Sequence, residues 1–447
     1  MYGVAVPRCG GAPLLGDGHA APAAGLDVRW TESGKAIVAS APFGVGATLW
    51  KEAALGAIQY SESRQAGAMA CHHTLQFVGS LVEQLQVAGG FSEAEERAGA
   101  AAIPPALRTL LEGSRASGQV SGGFVQTAEG GLYASASVRE GAAYQRWLRA
   151  DAAAWEAFEE HALCTNEAFL LAASLLVRHG FAGEGEGEPR AASPLEGLLS
   201  MLWWELPGGE QAEPAGAAAE PDEPSLAASR RELLAESFAL LLPVLRAAGQ
   251  ARRVDASSSR SEPLELTLEA YARLLGAIEL NSIVSRLSPA RSLLQTHQRL
   301  SQLGCLRVQS VEVRSPLAHF LEEVLEPEPE RAGGASGADV EAEQAATLLL
   351  PHVQRRLGEG AGGEASEGDV PPAKRQRQTT AQERLRALVE EAGGADQVYP
   401  PLLGVGLFRM VANLNHSCVP NAAVVFEASA QATVVALRPI GAGDEVR

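Results

Sequence analysis

Short, mostly apolar β-like runs open the patterned part of the chain. Ala36–Ser40 and Ala47–Trp50 read as strands set off by glycines. They lie in a stretch, Asp27 to about Leu55, that changes character from the Gly/Pro/Ala-rich tail of residues 1–26. From His73 to Ala88, Leu75, Val78, Val82 and Leu85 recur at helical spacing, and Gly89-Gly90 ends that helix. Residues 89–140 are Gly/Ala/Ser-rich and poorly patterned, apart from a short helix near 104–113. Residues 142–180 predict one or two packed helices. The second is capped by Asn166, carries Phe169, Leu170, Leu171, Leu175, Leu176 and Val177, and closes at Gly180. Polar runs at 182–190 and 207–224 flank a Trp203-Trp204 helix, whose tryptophans suit a core or interface. A helix follows at about 229–248, and 265–285 starts as another through Leu266, Tyr271, Leu274 and Leu275. From 322 to 343, and again from 358 to 380, large apolar residues are scarce. Such sequence cannot bury enough surface to offset its ordering entropy, which predicts two disordered insertions around a short helix. Patterned sequence resumes at Tyr399 and reaches the last residue.

One internal echo joins the two ends. Val38-Ala39-Ser40-Ala41-Pro42-Phe43-Gly44-Val45-Gly46 matches Val435-Ala436-Leu437-Arg438-Pro439-Ile440-Gly441-Ala442-Gly443 in the order V-A-x-x-P-Φ-G-x-G. Both segments follow a β-branched run, as where a strand ends in a Pro/Gly turn that re-enters a sheet. The echo points to one small β fold with helical material inserted between its halves. Chance similarity in a Gly/Ala-rich chain is the competing account.

Composition changes this picture in three ways. Of the 447 residues, 46% are hydrophobic, which is core enough for two or three domains. The net charge of −18 argues against a general nucleic-acid or anionic-membrane surface and suits a basic protein partner. The five cysteines, Cys9, Cys71, Cys164, Cys305 and Cys418, lie far apart and suggest no disulfide framework, in keeping with a reducing compartment. The first 26 residues lack the charged start and apolar core of a secretory signal, and apolar runs such as 168–177 fall short of the roughly 20 residues of a membrane span. The expectation is a soluble intracellular protein. Pro371-Pro372-Ala373-Lys374-Arg375-Gln376-Arg377 reads either as a nuclear-import signal or as a solvated basic stretch balancing local acid.

The chemistry concentrates in residues 404–421, GVGLFRMVANLNHSCVPN. Asn415 and His416 offer amide and imidazole groups just after the mostly apolar run Met410–Leu414, and Pro420-Asn421 turns the chain into a strand over Ala422–Phe426. A polar pair leaving a core at a turn can cradle a ligand. It can equally be a structural turn with satisfied polar groups. Asn415-His416-Ser417 is also a formal glycosylation sequon, disfavoured by the missing signal peptide. His416 and Cys418 are too close in sequence to hold the geometry of a nucleophile pair.

The run Gly404-Val405-Gly406-Leu407-Phe408, five residues, then Leu414-Asn415-His416-Ser417-Cys418-Val419-Pro420-Asn421 resembles the hallmark of SET-domain lysine methyltransferases, closest to the SET-and-MYND group. Ser33-Gly34-Lys35-Ala36-Ile37-Val38-Ala39 is similar to that family's opening Gly-basic-Gly strand, with Ala36 for the second glycine. Leu280-Asn281-Ser282-Ile283 is similar to its Asn-Ser-Phe element, with Ile283 for the aromatic residue. Pro439-Ile440-Gly441-Ala442-Gly443-Asp444-Glu445-Val446 looks like the turn before its last strand.

The resemblance implies an S-adenosyl-L-methionine site. Gly34, Lys35 and Ala36 would run along the methionine moiety, Asn281 would bond its amino-acid end, and Asn415 and His416 would hold the amino group and adenine edge. It implies direct transfer, in which a neutral lysine amine attacks the sulfonium methyl and catalysis is alignment, desolvation and proton removal. The family places the amine with a tyrosine a few residues past the Glu445-Val446 equivalent, and joins the Cys418 equivalent to three more cysteines on zinc. Those positions fall beyond Arg447, so no catalytic base and no metal ligand are assigned. Cys71-His72-His73 sits where related proteins begin a MYND zinc module. One cysteine and two adjacent histidines cannot supply four tetrahedral ligands, so a degenerate remnant is expected.

The fold expected is therefore α+β, a SET-type β fold of small curved sheets split by large helical and disordered insertions. Its parts would be a flexible tail (1–26), the first part of the SET core (27–60), a degenerate MYND-like and low-complexity region (61–140), and a helical insert (141–265). An inner SET segment (266–320), a largely disordered insertion with short helices (321–398) and the C-terminal core (399–447) follow. The function expected is protein-lysine N-methylation of histone or other basic protein substrates by a monomer in the nucleus or cytoplasm, with no direct nucleic-acid or membrane contact. The alternative is a non-catalytic SET-like interaction or scaffold protein.

Overall fold

A computed structural model describes residues 25–31, 34–89, 103–120, 123–128, 131–179, 226–256, 266–281, 310–326, 337–358, 380–415, 417, 419–426 and 429–447. Strands β1 (Leu26–Thr31), β2 (Gly34–Ala39), β3 (Thr48–Ala53) and β4 (Gly56–Gln59) come first. Then follow β5 (Val125–Gln126), β6 (Leu132–Tyr133), β7 (Ser310–Val313), β8 (Leu402–Leu407), β9 (Ala422–Phe426), β10 (Gln431–Ala436) and β11 (Glu445–Val446). They build three small antiparallel sheets, in the orders β1-β2-β11, β3-β10-β9 and β4-β8-β7, and the hairpin β5-β6. Helices pack around them, so the chain is α+β.

The sequence echo is the organising feature of the first two sheets. Each end of the chain supplies a hairpin, β1-β2 or β9-β10, followed by a turn and a third strand, and the two units exchange that third strand. The exchange is reciprocal, hydrogen bond for hydrogen bond. Ala39 N donates to Asp444 O at 2.8 Å, and its counterpart Ala436 N donates to Ala47 O at 2.9 Å. Gly443 N to Ala39 O (2.7 Å) mirrors Gly46 N to Ala436 O (2.8 Å), and Phe43 and Ile440 bond each other both ways. The last glycine of each echo, Gly46 and Gly443, has φ of 78° and 93°, a left-handed conformation that a side chain would strain. The V-A-x-x-P-Φ-G-x-G repeat is thus a pair of matching turns about a local two-fold. Ile37, Leu49, Val434, Ile440 and Val446 bury the shared core behind them.

Helical boundaries differ from the periodicity in several places. The helix expected over 73–88 begins at Leu81, because Ser80 and Glu83 form a capping box in which each side chain accepts the other's backbone N–H. Leu75 and Val78 are fully buried, but Leu75 from a tight turn with φ 51° and Val78 from a strand-like pairing in which its N–H donates to Met69 O. The apolar spacing there reflects burial, not a helix. Gly89 does end the helix, and Pro105–Gly113 forms with proline at its first turn. Instead of one or two helices, 142–180 contains three: Ala143–Leu148, Ala152–Thr165 and Ala168–His179. The extra break comes from Asp151, whose Oδ1 accepts Ala154 N, while Asn166 Oδ1 accepts Ala168 N as anticipated. The helix placed at about 229–248 spans Leu226–Ala256, and the next spans Leu268–Asn281. These helices share a core in which Tyr271 is fully buried, its hydroxyl 2.9 Å from Ser237 Oγ. Burying each such large side chain stabilises by about 2–3 kcal/mol.

The segment 322–343 is helical at both ends, as parts of Pro316–Leu325 and Gly337–Arg356. With Ala381–Glu391 and Ala395–Val398 these helices enclose their own core of Leu321, Leu349, Val353, Leu385 and Val398. Ala345 and Ala346, just past the apolar-poor stretch, are buried in that core beside the larger Leu349 and Val353. The readings on 1–24, Gly180, 182–190, Trp203-Trp204, 207–224, 359–379 and the basic patch 371–377 lie outside the described residues. No helix of the described residues is long and apolar enough to cross a membrane.

Strand β8 joins the parts: Leu402 packs into the β core, while Val405 and Leu407 pack into the helical one. Its Gly404 lies against β4 so closely that a Cβ would stand 2.4 Å from Ile58 O and 2.9 Å from Leu75 Cδ1. Gly404→Ala is therefore expected to lower unfolding free energy by about 2–3 kcal/mol, the cost of overpacking against backbone. Chemical denaturation checks this, and an unchanged midpoint contradicts it.

Candidate functional site

Three segments far apart in sequence meet at one side chain. Asn415 Nδ2 donates to the Lys35 carbonyl oxygen (3.1 Å) and to Glu445 Oε1 (2.6 Å). Lys35 lies on β2 and Glu445 on β11, and those two strands pair directly through Ile37–Val446 and Val38–Glu445. The fold therefore delivers the opening Gly-Lys-Ala strand, the Asn-His-Ser-Cys segment and the closing Asp-Glu-Val strand to one point. Glu445 Oε2 accepts from Arg447 Nε and Nη2 at 2.8 and 2.6 Å, so its charge is paired. Asn421 locks the turn: its Nδ2 donates to Glu445 O, its Oδ1 accepts Arg447 N, and its own N–H reaches Arg447 O. Ser417 Oγ accepts Val419 N at 3.2 Å and tightens the same turn.

The approach to Asn415 is held from β3. Glu52 accepts the backbone N–H groups of Met410 (2.8 Å) and Val411 (3.1 Å) at the start of the 3-10 turn Val411–Asn413. Burial pushes the Glu52 carboxyl up, against the pull of those backbone donors. Burial, and then nearby Arg409, pulls the Lys35 ammonium down.

Of the residues the sequence singled out, Gly34, Lys35, Ala36 and Asn415 come together. Ala36 is fully buried, so its Cβ packs into the core. Asn281 is the last residue of its helix, with its side chain outside the described residues, as are His416 and Cys418 entirely. Glu52, Asn421, Glu445 and Arg447 had no assigned role. Nothing local marks Glu52, whose partners lie more than 350 positions away. Cys71 is fully buried, and no group of three or more His, Cys, Asp or Glu suited to a metal occurs among the described residues.

What this arrangement can bind follows from its donors and acceptors. The two N–H groups of the Asn415 amide are both committed, one to Lys35 O and one to Glu445. Its Oδ1 and the second lone pair of Lys35 O are acceptors. Acceptors of this kind suit an ammonium, the group that an amino-acid head such as that of S-adenosyl-L-methionine presents. A small cleft lined by Ala66, Gly67, Gln84, Arg356 and Tyr399 involves none of these residues.

No protein-family model matches this chain, and a search of curated proteins finds no match.

Proposed function

We propose that the chain is a SET-type protein-lysine N-methyltransferase that binds S-adenosyl-L-methionine at Gly34, Lys35, Ala36, Asn281, Asn415 and His416. The observation that carries this reading is the meeting of Lys35, Asn415 and Glu445 at a single amide. Three of the motif segments that resemble the family lie on separate strands and loops, and chance resemblance gives no reason for them to converge. When bound, the cofactor would supply an electrophilic methyl on sulfur. The chain's part is to accept the head-group ammonium at Lys35 O and Asn415 Oδ1. Glu52 then fixes the segment before Asn415, and Asn421, Glu445 and Arg447 fix the turn after it. The substrate would be a lysine of a histone or another basic protein, to which a chain of net charge −18 is complementary. The site of action would be the nucleus or cytoplasm.

A second reading has its own support. Both Asn415 N–H groups are spent inside the fold, as in a purely structural turn, which suits a non-catalytic SET-like scaffold. Calorimetry with S-adenosyl-L-methionine separates the two. The enzyme reading expects binding by wild type and at least about tenfold weaker binding by Asn415→Ala, a loss of roughly 1.4 kcal/mol, with the variant's folding checked by circular dichroism. No binding by folded wild type, or equal binding by both, favours the scaffold.

A further inference from the structure

We infer that Thr380 is a phosphorylation site for a protein kinase that prefers basic peptides, and that the phosphate releases the helix Ala381–Glu391 from the helix Gly337–Arg356. The inference does not rest on the methyltransferase reading, and it gives a part to the basic run before Thr380, which that reading leaves unused. In Arg375-Gln376-Arg377-Gln378-Thr379-Thr380, arginines stand five and three positions before the last hydroxyl. Kinases of that class choose substrates by charge, and carboxylates along their peptide cleft pair with guanidinium forks at such offsets. Thr380 itself is exposed, and its backbone is extended, with φ −67° and ψ 161°. Its hydroxyl thus stands just ahead of the helix and not within it. In the transfer, Thr380 Oγ bonds the γ-phosphorus of ATP, the bond from that phosphorus to the bridging oxygen breaks, and ADP leaves. The hydroxyl proton passes to the kinase's base.

What the phosphate does follows from how the start of that helix is held. A helix start ordinarily favours an anion, because its first N–H groups lack partners. Here those groups are taken. Glu343, on the neighbouring helix Gly337–Arg356, accepts Ala381 N at Oε1 (2.7 Å) and Gln382 N at Oε2 (3.0 Å). Thr380 Oγ accepts Glu383 N (3.1 Å), and Glu383 Oε2 accepts Thr380 N (2.9 Å) in a capping box. A phosphate on Thr380 therefore brings a charge of about −1.5 to −2 between two carboxylates, and repulsion results. Arg384, exposed and one turn along, offsets at most one of those charges. The phosphate reaches Ala381 N and Gln382 N only by displacing Glu343, and its covalent attachment keeps it in place to do so. Glu343 is a polar tie between two helices that otherwise meet through Leu349, Val353, Leu385 and Val389.

The full chain, incubated with ATP and a purified kinase of that class and mapped by mass spectrometry, tests the site. Phosphate is expected on Thr380, at a rate cut about tenfold or more by Arg377→Ala. Thr379, with the arginines at the wrong offsets, is the internal control. Phosphate on Thr379 and not on Thr380, phosphate on neither, or an undiminished rate in Arg377→Ala overturns the assignment. Thermal unfolding before and after phosphorylation tests the release. The phosphorylated chain is expected to melt lower, by about 2–4 °C, and phosphorylated Glu343→Gln, which has no carboxylate there to repel, to lose most of that fall. No fall in the wild type, or the same fall in Glu343→Gln, overturns the release.

Discussion

Arg356→Met is expected to lower the unfolding free energy by about 3–5 kcal/mol, enough to unfold a marginal domain. Arg356 ends the helix Gly337–Arg356 and donates to three backbone carbonyls, of Ala66, Ala88 and Val398. Ala66 is the C-cap of one helix, and Ala88 and Val398 are the last residues of two others. Four helix C-termini therefore converge on one guanidinium. Each leaves carbonyls without intrahelical partners and carries a partial negative charge, so together they replace the carboxylate that a half-buried arginine ordinarily pairs with. Burial pulls the Arg356 guanidinium below its ordinary range, a desolvation that these dipoles oppose. The side chain also covers the Tyr399 ring at 5.4 Å, and Tyr399 leads directly into β8. Methionine keeps most of the volume and strands three acceptors, those of the buried residues Ala88 and Val398 at about 1–3 kcal/mol each before relaxation and that of half-buried Ala66 at less. Lysine keeps the charge but not the fork, and should recover only part of the loss. Urea unfolding of the two variants decides it, and a Met variant within about 1 kcal/mol of wild type contradicts the hub.

The second large effect is acid sensitivity in the range where histidines titrate. Burial, then Arg64 and Arg149, lowers His72 to about 4, and burial, then Arg178, lowers His73 to about 4. In the unfolded chain both return to about 6.5. Between those values the unfolded state binds protons that the native state refuses, so stability is full above about pH 6.5 and falls as pH drops toward 4. The arithmetic gives at most about 3 kcal/mol for each, and less in practice because both rings are half-buried and solvent screens them. His319, lowered by burial and by Arg314, acts with the same sign. Thermal unfolding in chloride buffers across that window checks this, with His72→Asn expected to flatten the slope. A wild-type melting temperature that is level from pH 7 to pH 4.5 contradicts it.

Much of the local architecture was legible. Asn166 and Gly89 mark helix ends through chemistry carried within four residues, and each acts as that chemistry dictates, whereas the Ser80-x-x-Glu83 box, equally local, was passed over for the apolar spacing before it. Periodicity misled where burial came from something other than a helix. Leu75 is buried from a turn and Val78 from the paired segment after it, so their spacing mimicked a helical face. Composition misled at 337–343, where Ala and Glu read as unable to fold but belong to a helix whose later alanines pack closely.

What the sequence by itself determined is the set of parts: the two matched Pro/Gly turns, the capped helices and the Asn-His-Ser-Cys segment between a core run and a strand. These are dictated by backbone preferences and short-range hydrogen bonds. Only the tertiary structure decided that the two turns exchange strands, that β2 and β11 bring Lys35 and Glu445 to Asn415, and that Arg356 gathers groups from several elements. The reason is range. A turn's conformation is fixed by the residues within it, whereas these partners stand as far apart as Ile37 and Val446 and are chosen by which buried polar groups can be satisfied together.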